Sequence, residues 1–200
     1  LERVTADVTV ALENCQFNMA METIRNFTWH LFCDFYIEAI KHRLYRPEEY
    51  GKGKREAAQF TLYTAIYRIL QLLAPITPHI TEEIYQHMYA DDMKHKSIHV
   101  TSWPTLEAER IDDEAEKYGD LIMAVISSVR KEKGERKIPL NTPIKNLTVY
   151  GGSHKGAHIL EMAKEDIVGT LKAEKIEILP AKSEGREVEG YSNVHFIAEY

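Results

Sequence analysis

Residues 17–44 read FNMAMETIRNFTWHLFCDFYIEAIKHRL, and the spacing inside this stretch decides the fold. Phe17, Ala20, Met21, Ile24, Phe27, Leu31, Phe35, Tyr36 and Ile40 recur at steps of three and four, the repeat that lines one side of an α-helix. At 1.5 Å per residue such a helix is about 40 Å long. Arg46-Pro47 ends it, because proline disfavours helix in the residue before it. Upstream, Leu1, Val4, Val8, Ala11 and Leu12 give residues 1–14 the same spacing. Downstream, Pro47, Gly51 and Gly53 among several charges predict a loop over 45–54. A third helix over 55–73 carries Leu62, Ile66, Ile69, Leu70 and Leu73 and stops at Pro75. Thr77-Pro78 reads as an N-cap followed by proline in the first turn of a fourth helix. Ile80, Ile84 and Met88 form its expected buried edge, and Glu82 and Glu83 lie near its N-terminus, where the helix dipole favours anions. Four helices with short connections predict an antiparallel bundle.

Beyond Trp103-Pro104 the pattern changes. A fifth helix over 112–133 turns Ala115, Tyr118, Ile122, Val125, Ile126 and Val129 inward. A short strand at 147–150, closed by Gly151-Gly152, precedes a helix over 155–168. Alternating strands follow at 175–179 and 193–199. The expected fold is therefore mainly α: a bundle over 1–104, then a long helix and a small α+β domain over 105–200.

The 200 residues are 44% hydrophobic and 28% charged, which excludes disordered, collagen-like and low-complexity classes. No apolar run approaches the roughly 18 residues of a membrane span, and no signal peptide opens the chain. Leu1 stands in mid-pattern, so the sequence reads as a fragment or processed product. Cys15 and Cys33 are too few for a disulfide scaffold and read as small buried hydrophobes in a reducing compartment. The net charge of −6 argues against a broadly basic nucleic-acid binder. Neither half is basic: 1–104 has eleven basic and thirteen acidic residues, and 105–200 has fourteen and eighteen. Two segments depart from that average. Residues 41–55 hold six basic residues against two acidic, and residues 130–137 hold five against two. Phosphate contact explains such clusters, and so do solvated caps at helix C-termini.

His154 and His158 sit four apart, a zinc-compatible spacing, but no third ligand, HExxH or CxxC accompanies them. Residues 151–156, GGSHKG, lack both the third glycine of GxGxxG and the Gly-Lys-Ser/Thr ending of a P-loop, so a plain helix N-terminus is the better reading. No GxSxG occurs. No catalytic residue and no metal ligand is assigned. Asp34 and Glu38, four apart among Trp29, Phe32 and Tyr36, form either surface ion pairs or a polar stripe that reads bases beside stacking rings.

Residues 17–29, FNMAMETIRNFTW, and 32–38, FCDFYIE, resemble the anticodon-binding helical domain of class I aminoacyl-tRNA synthetases. Residues 72–85, LLAPITPHITEEIY, and 98–104, IHVTSWP, are similar to later segments of that family in the same order. Together they cover about half the chain and mark the valyl, isoleucyl and leucyl branch. The Phe-Cys-Asp run looks most like the valyl-tRNA synthetase family. The HIGH and KMSKS signatures are absent, and residues 93–97, MKHKS, lie on the wrong side of the bundle for that loop. The resemblance implies a full-length cytoplasmic enzyme that uses ATP and Mg to ligate valine to tRNA(Val). Its own catalytic and editing domains would precede Leu1, with no membrane or DNA partner and no cofactor held by these residues. It further implies Asn18, Arg25, Trp29, Asp34 and Tyr36 as readers or stacking platforms, and Lys41, Arg43, Lys52, Lys54, Arg130 and Arg136 as phosphate contacts. Trp29 and Tyr36 stand equally open as core residues. An isoleucyl or leucyl relative and a helical protein-binding module remain as alternatives, with a small-molecule enzyme on the α+β half ranked last.

Overall fold

Helical spacing becomes helix in α1 (Glu2–Glu13) and α2 (Phe17–Asn26), where Val8, Ala11, Ala20 and Ile24 are buried. In the computed structural model, which describes residues 1–181 and 184–200, the single long helix expected over 17–44 has three parts. After α2 comes a π-helix, Phe27–Ile37, and then α3 (Glu38–Tyr45). A π-helix closes i→i+5 hydrogen bonds and its turn is wider than an α-turn. The wider turn stacks Phe27, Phe32 and Tyr36, at steps of five and four, with centroid separations of 6.4 and 5.8 Å. Phe32 is buried while Leu31, expected inward, is 56% exposed. Phe17 is likewise exposed.

The loop expected over 45–54 is also largely helical. Pro47 opens the one-turn helix α4 (Pro47–Tyr50), and α5 (Lys52–Leu73) starts directly after Gly51, whose φ of 98° suits glycine. Helix α6 (Pro78–Met88) begins at Thr77-Pro78 as expected, but Thr77 donates its hydroxyl to Leu73 O rather than capping. The buried edge of α6 is not Ile80 and Met88, which are exposed, but Thr81 and Tyr85. Tyr89 continues that line just before the short helix α7 (Ala90–Met93). The tyrosines win because their hydroxyls find acceptors: Tyr85 donates to His95 O and Tyr89 to Tyr63 O, each at 2.9 Å.

The chain forms two compact units, Leu1–Ile37 with Arg46–Ile111, and Glu38–Tyr45 with Asp112–Tyr200. In the first, Val8, Ala11, Ala20, Ile24 and Leu72 make one core cluster and Leu70, Ala74, Tyr85, Tyr89 and Ile98 another. Trp103 packs on the former and donates its indole N–H to Thr9 Oγ1 at 2.9 Å.

The second unit is α+β. Asp112 caps α8 (Asp113–Glu135) by accepting from the backbone N–H groups of Glu114 and Ala115. Strand β1 (Ile144–Tyr150) leads into α9 (His154–Met162) and α10 (Lys164–Leu171), which divide at Ala163 the single helix expected there. Strand β2 (Ala173–Leu179) then pairs parallel to β1. A three-residue strand, β3 (Arg186–Val188), was not foreseen. It pairs antiparallel with β4 (Tyr191–Glu199), giving the sheet order β2-β1-β4-β3. Leu147, Val149, Val194 and Phe196 meet Val125, Ile126, Val129, Leu160, Ile167 and Leu171 in one apolar core. At the end of β1, a side chain on Gly156 would lie 2.0 Å from Gly151 O, so these glycines serve close strand–helix packing. No helix among the described residues is long and apolar enough to cross a membrane.

Candidate nucleic-acid interface

In the first unit, Ala20 and Ile24 face the core and fix which side of α2 meets solvent. Asn18 and Arg25, seven residues apart, share the exposed side, and Trp29 follows four residues later. Trp29 is 65% exposed, which resolves its status: it is a surface ring, available for stacking. Asp34 is exposed and lies 3.5 Å from the imidazole of His30. Tyr36 is half-buried in the ring stack with Phe32, so only part of its face is open. Cys15 and Cys33 are exposed thiols rather than buried hydrophobes; Cys15 occupies a left-handed turn position at φ 56° between α1 and α2.

Lys52 and Lys54 are exposed in the first turn of α5, together with Arg55. They were expected in a loop following a helix C-terminus. They stand instead at a helix N-terminus, where each cation opposes the macrodipole at a cost of about 0.3–1 kcal/mol. No acidic residue shares that turn. A bound anion there would gain from both the cations and the N–H groups behind them. Sequence reasoning missed Phe60, which is 71% exposed on α5. Its signal was present: the ring lies opposite the Leu62, Ile66, Ile69 and Leu73 stripe, where packing has no use for it.

The second unit holds the other four expected phosphate contacts, and each faces a carboxylate. Lys41 bonds Glu38, and Arg130 approaches the same carboxylate at 3.8 Å. Arg136 pairs with Glu132 at 2.9 Å and lies over the Tyr200 ring at 5.6 Å. Burial, then the neighbouring Glu132 charge, pushes the Tyr200 hydroxyl up to about 12. Arg43 grips Asp166 with two nitrogens, its Nε at 2.8 Å, while His42 Nε2 stands 3.1 Å from the same carboxylate. Burial works to raise Asp166, but the hydrogen bonds from His42 and Arg43 outweigh it and hold the carboxyl below its usual range.

Lys133, counted in the 130–137 cluster, is fully buried. Its ammonium donates to Thr142 O at 2.6 Å, Leu140 O at 3.3 Å and Leu171 O at 3.4 Å. Burial lowers its pKa, and Lys172 and Arg130 add to the effect. It ties the loop before β1 to the ends of α8 and α10 and presents nothing to a phosphate. His154 and His158 are exposed, and no cluster of three or more potential metal ligands occurs among the described residues.

A family model described as the anticodon-binding domain of tRNA ligase matches residues 1–149. The chain is similar to the valine–tRNA ligase of Pyrococcus furiosus, with 38% identity over 187 residues, covering 94% of this chain and 20% of that protein. It is 39% identical over 184 residues to that of Methanothermobacter thermautotrophicus, covering 92% and 20%. Against that of Methanocaldococcus jannaschii the figures are 37% over 182 residues, 91% and 20%. The chain thus spans about a fifth of the length of the curated relatives it matches. With a match that runs over residues 1–149 of 200, the chain belongs to the anticodon-binding domain family of tRNA ligases.

Proposed function

We propose that this chain is the tRNA-recognition part of a valyl-tRNA synthetase, in which residues 1–104 act as an antiparallel anticodon-binding bundle and 105–200 as an appended α+β part. The whole cytoplasmic enzyme would ligate valine to tRNA(Val) with ATP and Mg, its catalytic and editing domains lying outside these residues. The geometric observation that carries the reading is the exposed Trp29 following the exposed Asn18 and Arg25 along the same run of helix. Unstacked anticodon bases lie against such a ring while polar side chains read their edges. Lys52 and Lys54 would hold the backbone. Likeness to valine–tRNA ligases across nine-tenths of the chain supports valine over isoleucine or leucine.

Binding of the chain to tRNA(Val) and to other tRNAs, measured at several salt concentrations, tests this. If four phosphates are contacted, log K falls against log[salt] with a slope of about −2.8 to −3.6. Equal affinity for all tRNAs would remove the reader role. A second reading, a helical module that docks a protein, draws on an apolar groove of about 420 Å³ lined by Leu12, Phe17, Pro75 and Trp103. Absence of tRNA binding at low salt would favour it.

A further inference from the structure

The groove of about 420 Å³ lies wholly in the first unit, and every residue that lines it falls within the matched residues 1–149. Leu12, Phe17, Pro75 and Trp103 form its walls, with Thr9 and Glu13. Phe17 stands two turns before the buried Ile24 on the same side of α2, yet it is 58% exposed. The core therefore leaves an aromatic ring uncovered at the rim of the groove. Most polar groups here are already engaged. Thr9 donates its hydroxyl to Thr5 O at 2.7 Å and accepts the Trp103 indole N–H at 2.9 Å. What remains is ring surface and one carboxylate, Glu13, exposed at the last position of α1. No basic residue shares that turn, and the helix dipole places its negative end there. This edge welcomes a hydrogen-bond donor and repels a phosphate. Size also narrows the occupant. A stable protein interface takes about 800 Å² from each partner, whereas a cleft of roughly 300–1,000 Å³ with apolar and aromatic walls and few polar groups suits one small ligand.

We propose that the groove takes one unstacked anticodon-loop base that carries an amino group. Its ring would lie against Phe17 and Trp103, and its amino N–H would donate to Glu13. Uracil is disfavoured, because it has carbonyl oxygens in place of amino groups and turns them towards the carboxylate. The proposal rests on the tRNA reading and adds to it a second aromatic platform with a preference among bases.

Trp29 and Trp103 are the two tryptophans of the chain, so in Trp29→Phe the indole emission reports on Trp103 alone. Adding tRNA(Val) should quench it. Phe17→Ala should weaken tRNA(Val) affinity roughly 5- to 150-fold with the salt slope unchanged, since no phosphate contact is removed. Transcripts in which each amino-bearing anticodon-loop base is replaced in turn by uracil should show one position where affinity drops, and Glu13→Gln should remove that drop. Discrimination that survives Glu13→Gln overturns the role of Glu13. Denaturant unfolding checks that the variants keep their fold; if Phe17→Ala does not, the transcript series with Glu13→Gln carries the test. Binding of tRNA(Val) with Trp103 emission unchanged and Phe17→Ala at wild-type affinity overturns the groove site and leaves the tRNA reading standing. No tRNA binding at low salt overturns both. Self-association of the wild-type chain in sedimentation, abolished by Phe17→Ala, gives the groove to a second copy and likewise overturns the proposal.

Discussion

Residues 52–55 and 130–137 are both rich in lysine and arginine, but they sit at opposite ends of their helices. The first stretch opens α5, where the dipole repels cations; the second closes α8, where the dipole attracts them. In the second stretch the fold uses the charges. Lys131 meets Glu189 at 2.8 Å, Arg136 meets Glu132, and Lys133 is enclosed by carbonyl oxygens. In the first, Lys52, Lys54 and Arg55 are all exposed with no acid in their turn. Equal net charges therefore describe different things: 130–137 is engaged with carboxylates and carbonyls of its own unit, while the cations of 52–55 stand exposed at a helix N-terminus, where the dipole opposes them.

The largest way to break this contrast is Lys133→Met. It removes the ammonium that ties Leu140 O, Thr142 O and the buried Leu171 O together and should destabilise the second unit by about 1–3 kcal/mol in denaturant unfolding. The salt slope of tRNA binding should stay unchanged, and a shallower slope would mean that Lys133 reaches phosphate after all. Next is Trp29→Ala. A stacking platform contributes about 1–3 kcal/mol per base to binding, whereas an exposed ring contributes little to folding. tRNA affinity should fall by about tenfold or more with unfolding unaffected; a fall in stability and unchanged affinity would return Trp29 to a packing role. Smaller still is the paired change Lys52→Gln with Lys54→Gln. Each lost phosphate contact should make the salt slope shallower by about 0.7–0.9, while removing cations from the α5 N-terminus should raise stability by about 0.3–1 kcal/mol per site. Opposite signs for binding and folding are the signature that separates this cluster from 130–137. Arg136→Gln should leave the salt slope unchanged but lower stability, because its partner Glu132 is only 4% exposed and would keep just the Tyr200 hydroxyl at 3.5 Å.

Alkaline titration adds a contrast of sign. Burial, with help from Asp92, pushes Tyr63 up to about 12, and burial does the same to Tyr89. Unfolded tyrosine ionises near 10, so the stability these groups add is complete below pH 10 and is lost as pH rises towards 12. Lys133 is shifted the other way, below 10.5. Through the window beneath 10.5 the unfolded chain binds more protons there, so its contribution to stability rises with pH. Tyr89→Phe should flatten the alkaline loss in the first unit, measured by tyrosinate absorbance alongside unfolding, and Lys133→Met should remove the opposing trend from the second.

What the sequence reveals of this molecule follows the range of the interactions involved. Helices α1, α5 and α8 are plain from spacing, because each has an apolar stripe that its own residues declare. The alternation of β4 is equally local. The π-helix is hidden, because stacking of Phe27, Phe32 and Tyr36 overrides the α-repeat of Phe27, Leu31 and Phe35. The inner edge of α6 is misread for a related reason: hydropathy favours Ile80 and Met88, but Tyr85 and Tyr89 bury large rings and satisfy their hydroxyls. β3 is too short to show alternation. Among the site residues, the exposed side carrying Asn18 and Arg25 follows from helix geometry, whereas Trp29, open in the sequence between surface and core, lies in the π-helix and is placed at the surface only by the structure. The engagement of Arg43 does not, because Asp166 lies 123 residues away. Nor does the burial of Lys133, whose Leu171 partner is 38 residues on.

The assembly of the second unit from two separated stretches has a consequence during synthesis. Domains tend to fold as they emerge from the ribosome, N-terminal parts first. Helix α3 cannot, because Asp166, Gly169 and Thr170 have not been made when it appears. At about 5–20 residues per second, the 123 residues between Arg43 and Asp166 leave Ile40 and His42 uncovered for roughly 6 to 25 s. For that interval the nascent chain exposes Ile40 beside His42 while their partners in α10 are still being translated, so the second unit must wait for its C-terminal half with α3 already outside the ribosome. A pause in translation between α5 and α10 would lengthen the exposure, and chaperone capture at α3 would report it.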